Sequence, residues 1–388
     1  MFKMKQKKKI LLVPGWWPCQ FFMDPSMLMS DIYDTYVLKG DCTVFPLKKA
    51  YKCFKNYIQS TEEQNTIDVH LCWLRYKTHW AHRKQNRKLE NFIGGAVRQL
   101  MGEQLPDVVS LQSLSDISPF VVEWAHRNGI KVIMTEHQLR YWGVAVLDPF
   151  QALKHSVFHN SDKLLCVSNY LYRNLLVNGF AKRATVIGNL VDDIELDESR
   201  LSTYRNLNRI VYVTGHPHSK DLHILYEVAL LLRDTTNLEI DVIGLDENRI
   251  GSDGRPVGWY VSEWQITNLH FLGRRNHDEL LKSYSQYGLL LSTSCSETFG
   301  ISIAEAILNG LPVVCTDNGG CHEFVNDSNG IITGIREPQQ IYEAILQVIE
   351  NIRNGKYDSL AMSKNIREKY GRKAYRERLI PIYEQYTR

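Results

Sequence analysis

The sequence predicts an α/β protein made of two doubly wound, mostly parallel-sheet domains. Short runs rich in leucine and β-branched residues alternate with longer helical stretches, the pattern of successive βαβ units. That pattern pauses across residues 191–208, VDDIELDESRLSTYRNLN, which are polar and weakly periodic, and then restarts. The length of 388 residues also exceeds one typical domain. With 44% hydrophobic and 23% charged residues, the composition is that of a globular chain able to bury real cores.

The first half reads as strands at residues 9–13, 44–46, 69–73, 108–112, 131–135, 163–167 and 185–187, with helices such as 88–101 and 119–128 between them. The second half reads as strands at 210–213, 239–243, 269–272, 288–292 and 312–315, separated by helices at 222–232 and 278–284. Two more helices are expected after Gly330, the last at Arg372–Tyr386. The expected organisation is a first domain at 1–190, a linker at 191–208, a second domain at 209–370 and a C-terminal helix at 371–388 packing back toward the first domain. In open sheets of this kind ligands bind at the carboxyl ends of the strands, so the loops that follow strands are the places to search.

The most informative of these is the segment 294–320, SCSETFGISIAEAILNGLPVVCTDNGG. Glu297 follows a strand, Phe299-Gly300 makes a tight turn, and Glu305 lies in the next helix, whose Ile301, Ala304 and Ile307-Leu308 are expected to face a core. Free backbone N–H groups at that helix start suit a phosphate or a sugar hydroxyl. Carboxylates eight positions apart across a glycine turn suit a ligand with hydroxyls at both ends.

Glu297 to Glu305 matches the E-x7-E motif of retaining GT-B glycosyltransferases, and the segment resembles glycosyltransferase family 4. Phe271-Leu272-Gly273, the helix at 278–284, the run 289–294 and the turn 316–320 with Glu323 keep that family's order. The resemblance is strong over 205–335 and fragmentary before it. It implies a GT-B fold, two Rossmann-like domains facing across a cleft, and a metal-independent transferase that takes a UDP- or GDP-linked hexose and keeps its anomeric configuration. No cofactor beyond that substrate is implied. The acceptor it implies is a glycan or lipid-linked glycan of surface-polysaccharide or glycolipid synthesis. Two alternatives stay open: another GT-B enzyme, a sugar-nucleotide epimerase or phosphorylase, and a non-catalytic sugar-nucleotide-binding subunit.

The resemblance also implies roles. Glu297 holds the donor sugar's hydroxyls, Glu305 the ribose hydroxyls, and Phe299, Gly300 and Ile301 offer backbone amides. Gly273-Arg274 meets the base. Gly215 to Lys220 follows the first strand of the second domain, with Lys220 on the diphosphate. His216 stands where the family usually carries arginine. It serves as the second cation if protonated; otherwise Arg274 or Arg275 substitutes, or the leaving group is less stabilised. In the first half, Thr135-Glu136-His137 resembles the family's "T-x-H", whose histidine contacts the donor sugar near the reacting carbon. Gly15, Trp16 and Trp17 form the loop after the first strand, where a tryptophan either stacks on an acceptor sugar or packs in the core. Gln112 sits where many relatives carry another histidine.

Charge and cysteines bound the setting. Residues 1–190 carry a net +10 and residues 191–388 a net −7, so only the first half attracts anions. Its cations concentrate in Lys48-Lys49-Ala50-Tyr51-Lys52-Cys53-Phe54-Lys55 and in residues 75–88, RYKTHWAHRKQNRK, interleaved with aromatics. That composition suits peripheral contact with an anionic membrane; no nucleic-acid recognition motif accompanies it. The eight cysteines include no CxxC pair and read as buried free thiols of a reducing compartment. Lys3 to Val13 imitates a signal peptide, but Pro14-Gly15 breaks the apolar run after four residues. A cytoplasmic protein, at most at the inner membrane face, is the expectation. No metal site is read: His155 and His159 lack a zincin glutamate, and there is no D-x-D.

Overall fold

The computed structural model describes residues 8–14, 43–44, 67–71, 93–95, 97–98, 103–115, 118–138, 149–179, 184–191, 201, 205–215 and 220–386. The chain divides into two compact units, Met1–Leu190 with Tyr375–Arg388, and Val191–Ala374. Each is built on one parallel sheet.

The first unit holds β1 (Lys8–Pro14), β2 (Thr43–Val44), β3 (Ile67–Leu71), β4 (Val108–Gln112), β5 (Lys131–Glu136), β6 (Lys163–Cys166) and β7 (Ala184–Val186), in the order β2-β3-β1-β4-β5-β6-β7. Its helices include α1 (Ser118–Arg127), α2 (Pro149–Asn160) and α3 (Asn169–Val177). β4 (VVSLQ) is buried at every position, Ser110 and Gln112 included, as a strand covered on both faces is. The winding order reverses between the parallel neighbours β1 and β4, which puts the crevice of this sheet at their carboxyl ends. Register places Gln112 of β4 beside Thr135 of β5.

The second unit holds β8 (Asn206–Val213), β9 (Glu239–Ile243), β10 (Leu269–Phe271), β11 (Tyr287–Ser292), β12 (Val313–Thr316) and β13 (Gly330–Thr333), ordered β10-β9-β8-β11-β12-β13. All pairs are parallel. Its helices are α4 (Leu222–Thr235), α5 (Val257–Glu263), α6 (His277–Ser283), α7 (Ile301–Leu308), α8 (Pro338–Arg353) and α9 (Ser359–Tyr370); α10 (Arg372–Tyr386) follows and ends in the first unit. The core joins β8, β9 and β11 to α4 and α8 through Ile210, Tyr212, Leu225, Ile240, Leu289 and Ile345. The winding reverses between β8 and β11.

Three differences from expectation go beyond a shift of one or two residues at an element's ends. β8 starts four residues early, because 206–209 alternate between exposed and half-buried positions on a strand only partly covered. β13 was not anticipated; its four residues are too few to show a period. Three helices follow Gly330 instead of two, the added one being α9, capped by the Asp358 side chain on the N–H groups of Leu360 and Ala361. Among the described residues no helix is long and apolar enough to cross a membrane.

Candidate functional site

In the second unit the chemistry gathers at the carboxyl ends of β8 and β11, the crevice of the reversed winding. Lys220 lies just before α4. Its carbonyl accepts hydrogen bonds from the Tyr212 and Thr293 hydroxyls, the latter at 2.7 Å. Its Nζ reaches Glu297 Oε1 at 2.5 Å, and Ser294 Oγ donates to the same oxygen at 2.9 Å. The two charged side chains are 15% and 20% exposed, so the ion pair is dry enough to be strong and open enough to meet a ligand.

The loop carrying Glu297 is held from the β12 side. The Glu297 N–H donates to the Asn318 carbonyl at 2.8 Å, and the Thr316 hydroxyl to the Ser294 carbonyl at 2.6 Å. Gly320 is required here: a Cβ on it would lie 2.7 Å from the Phe299 carbonyl oxygen and 2.9 Å from that of Glu297. Gly300, with φ of +91°, then turns the chain into α7, a conformation that favours glycine. The Ile303 N–H donates to the Gly300 carbonyl at 3.0 Å, and the N–H groups of Ile301 and Ser302 before it have no acceptor a turn back in the helix.

The Phe299 side chain packs edge-on against Phe324 and Tyr370, so only its backbone remains for a ligand. α7 is more enclosed than its periodicity suggests. Ile303 takes the buried position expected of Ile301, and Glu305 is only 5% exposed. A carboxylate that deep needs a partner, and His277 Nε2 meets its Oε1 at 2.7 Å. Burial, and then the charge of Glu305, holds the Tyr284 phenol well above its usual range. The loop after β10 is tied to β9 through the Gly244 N–H on the Gly273 carbonyl at 2.8 Å, leaving Arg274 exposed. Gly215, at the end of β8, is exposed; His216 lies outside the described residues.

In the first unit His137 follows β5 and is 8% exposed. Its Nε2 is 2.9 Å from Gln112 Oε1, and Gln112 Nε2 donates to Ser110 Oγ at 2.9 Å. Ser110 in turn meets the Tyr383 hydroxyl of α10 at 2.5 Å. An amide oxygen facing Nε2 requires an N–H there, so the neutral ring carries its proton on Nε2 and leaves the buried Nδ1 as an acceptor. Burial lowers the His137 pKa to about 4, a pull that Asn189 opposes only in part. Gly15, Trp16, Trp17 and both basic runs lie outside the described residues.

The family model "Glycosyltransferase Family 4" matches residues 57–194, and "Glycosyl transferases group 1" matches residues 193–373. The chain belongs to the GT-B, family 4-like glycosyltransferase family, through two models that together span residues 57–373. An uncharacterised glycosyltransferase of Methanocaldococcus jannaschii is 28% identical over 193 residues, 50% of this chain and 51% of that protein. The poly(glycerol-phosphate) alpha-glucosyltransferase of Bacillus subtilis is 25% identical over 189 residues, 48% of this chain and 27% of that one. The structure of Anabaena HepE in complex with UDP-glucose superposes with a TM-score of 0.71 at 16% identity, covering 97% of this chain and 99% of HepE. The matched stretch thus spans about half the length of the first of these relatives or less, while the GT-B fold is shared throughout.

Within this family 4-like chain, three contacts had no signal in the sequence strong enough to find them. Ser294 sits three residues ahead of Glu297, a local spacing common to many turns. His277 reaches Glu305 from the first residue of α6, next to the Asn276–Glu279 capping box. Asp221 accepts from Arg336 Nε at 2.8 Å and from the Cys295 thiol at 3.0 Å. Burial works against its ionisation, but these two partners outweigh it and keep the carboxyl below its ordinary value.

Proposed function

We propose that the chain transfers a hexose from a UDP- or GDP-sugar to a glycan or lipid-linked acceptor with retention of anomeric configuration. The observation that carries this reading is the Lys220–Glu297 pair at the carboxyl ends of the neighbouring strands β8 and β11, where the winding reverses. It sets a cation and a hydroxyl-binding carboxylate side by side, as a sugar diphosphate requires. In the proposed reaction the bond from the anomeric carbon to the diphosphate oxygen breaks, and its electron pair leaves with the diphosphate. Lys220 and the N–H groups of Gly300 and Ile301 stabilise that charge. Glu297 holds the sugar, Glu305 the ribose, and Gly215 and Gly273-Arg274 border the nucleotide. The acceptor hydroxyl attacks from the face the diphosphate leaves, and its proton passes to a phosphate oxygen.

His137 belongs to the sugar side of this scheme. The resemblance assigns it to the sugar hydroxyls near the reacting carbon, and burial holds its ring neutral. No metal and no cofactor enters. The positive first half favours an anionic acceptor at the inner membrane face, in keeping with the poly(glycerol-phosphate) named for the Bacillus relative. Proton NMR of the product formed from an α-linked sugar nucleotide tests retention. An α-linked product is expected, and a β-linked one would overturn the mechanism.

A further inference from the structure

At the end of β12, a few residues from Glu297, two buried thiols meet two exposed polar side chains. Successive side chains of a strand point to opposite faces. Thr316 points toward Ser294, and Cys315 and Asp317 share the other face. The 3₁₀ turn Gly320–Glu323 then folds back and delivers Cys321 and His322 to that face. The turn is well fixed: the Cys321 N–H donates to Asn318 Oδ1 at 2.9 Å, and its carbonyl accepts from Phe324 at 3.1 Å and Val325 at 2.9 Å.

One ligand atom each from Asp317, Cys321 and His322 falls within 4.8 Å of the other two. His322 Nε2 and Asp317 Oδ1 are already 2.8 Å apart, and the buried Cys315 thiol lies near that of Cys321. Both cysteines are fully buried, whereas the His322 and Asp317 side chains are 56% and 55% exposed. An ion pair by itself explains the histidine and the aspartate. It does not explain why they close over a buried thiol with a second thiol behind it.

We propose that Cys321, His322 and Asp317 form a binding site for one zinc-class divalent cation, with water as the fourth ligand. Sulfur, imidazole and carboxylate together are the donors of a borderline-soft ion; magnesium and calcium take oxygen alone. The two exposed donors give the ion a way in from solvent. The site is separate from Lys220 and takes no part in the transfer step. Its effect is structural: it ties the end of β12 to the turn whose Gly320 lies against the Glu297–Phe299 backbone. The proposal does not depend on the transferase reading.

The test uses the full chain, stripped with chelator, kept reduced and titrated with Co²⁺. Saturation at one equivalent is expected, with thiolate-to-cobalt charge transfer, tetrahedral ligand-field bands and displacement by Zn²⁺. Cys321→Ser should abolish the charge-transfer band. His322→Asn, at an exposed position, should weaken binding by about tenfold or more. If Cys321→Ser does not fold, His322→Asn decides. No saturable Co²⁺ binding by the wild type, or His322→Asn binding as the wild type does, would overturn the site.

Discussion

Glu136, between Thr135 and His137, gives a stability prediction whose size follows from its surroundings. The side chain is completely buried. Its Oε1 accepts the N–H groups of His137 at 2.9 Å and Gln138 at 2.7 Å, and its Oε2 accepts that of Leu114 at 3.2 Å. It therefore clamps the end of β5 to the end of β4, the two strands that carry His137 and Gln112. Burial outweighs the three donors and raises the carboxyl from 4.5 to about 7. A raised carboxylate means that the folded chain holds this proton more tightly than the unfolded chain does. Its contribution is complete below the unfolded value and is lost as pH climbs through about 7. At about 1.4 kcal/mol per unit, the wild type should lose about 2.5 kcal/mol between pH 5 and 8 from this group. Glu136→Gln cannot titrate. Urea unfolding of both chains across that range, taken as a difference so that every other group cancels, should show the wild type falling relative to the variant. Parallel curves would refute the buried, proton-holding clamp.

Three further outcomes follow. Glu297→Gln should lower kcat, and Glu305→Gln should mainly weaken the nucleotide, each by about 10–100-fold for the loss of about 1.5–3 kcal/mol of charge-assisted hydrogen bonding; steady-state kinetics that match the wild type would remove both from the site. If Lys220 and the α7 N–H groups carry the diphosphate as proposed, transfer should persist in EDTA; full loss that magnesium or manganese restores would show otherwise. The chain should co-sediment with anionic vesicles at low salt and be released at high salt, and replacing Lys52, Lys55, Arg83 and Lys84 by glutamate should abolish the effect; binding that ignores both changes would exclude electrostatic attachment.

Strands with buried faces on both sides were the easiest features to read. β4 (VVSLQ) and β9 (EIDVI) appear in the sequence with the bounds they have in the fold, since short valine-, leucine- and isoleucine-bearing runs between polar stretches leave little choice. The E-x7-E segment was equally plain, because strand, glycine turn and helix follow one another without interruption. Short or polar elements were harder. β13 has four residues, and α9 reads SLAMSKNIREKY, with only Met362, Ser363 and Ile366 buried. Contacts between distant residues were invisible in principle. That His277 would sit on Glu305, or that Tyr383 would anchor Ser110 below His137, depends on packing over 28 and 273 positions. The Asp317–His322 grouping lacks any spaced metal motif because a strand end and a tight turn make it together.

The donor site itself is tested most directly by thermal unfolding with UDP-, GDP- and ADP-sugars, read on the wild type and on Lys220→Ala. A sugar nucleotide at 100 times its dissociation constant adds about 2.7 kcal/mol to stability. One nucleotide class is predicted to raise the wild-type melting temperature. Lys220→Ala, giving up a charge-assisted contact of about 1.5–3 kcal/mol, should lose most of that rise at the same concentration. No shift with any sugar nucleotide, or a full shift retained by Lys220→Ala, would contradict the assignment of the site.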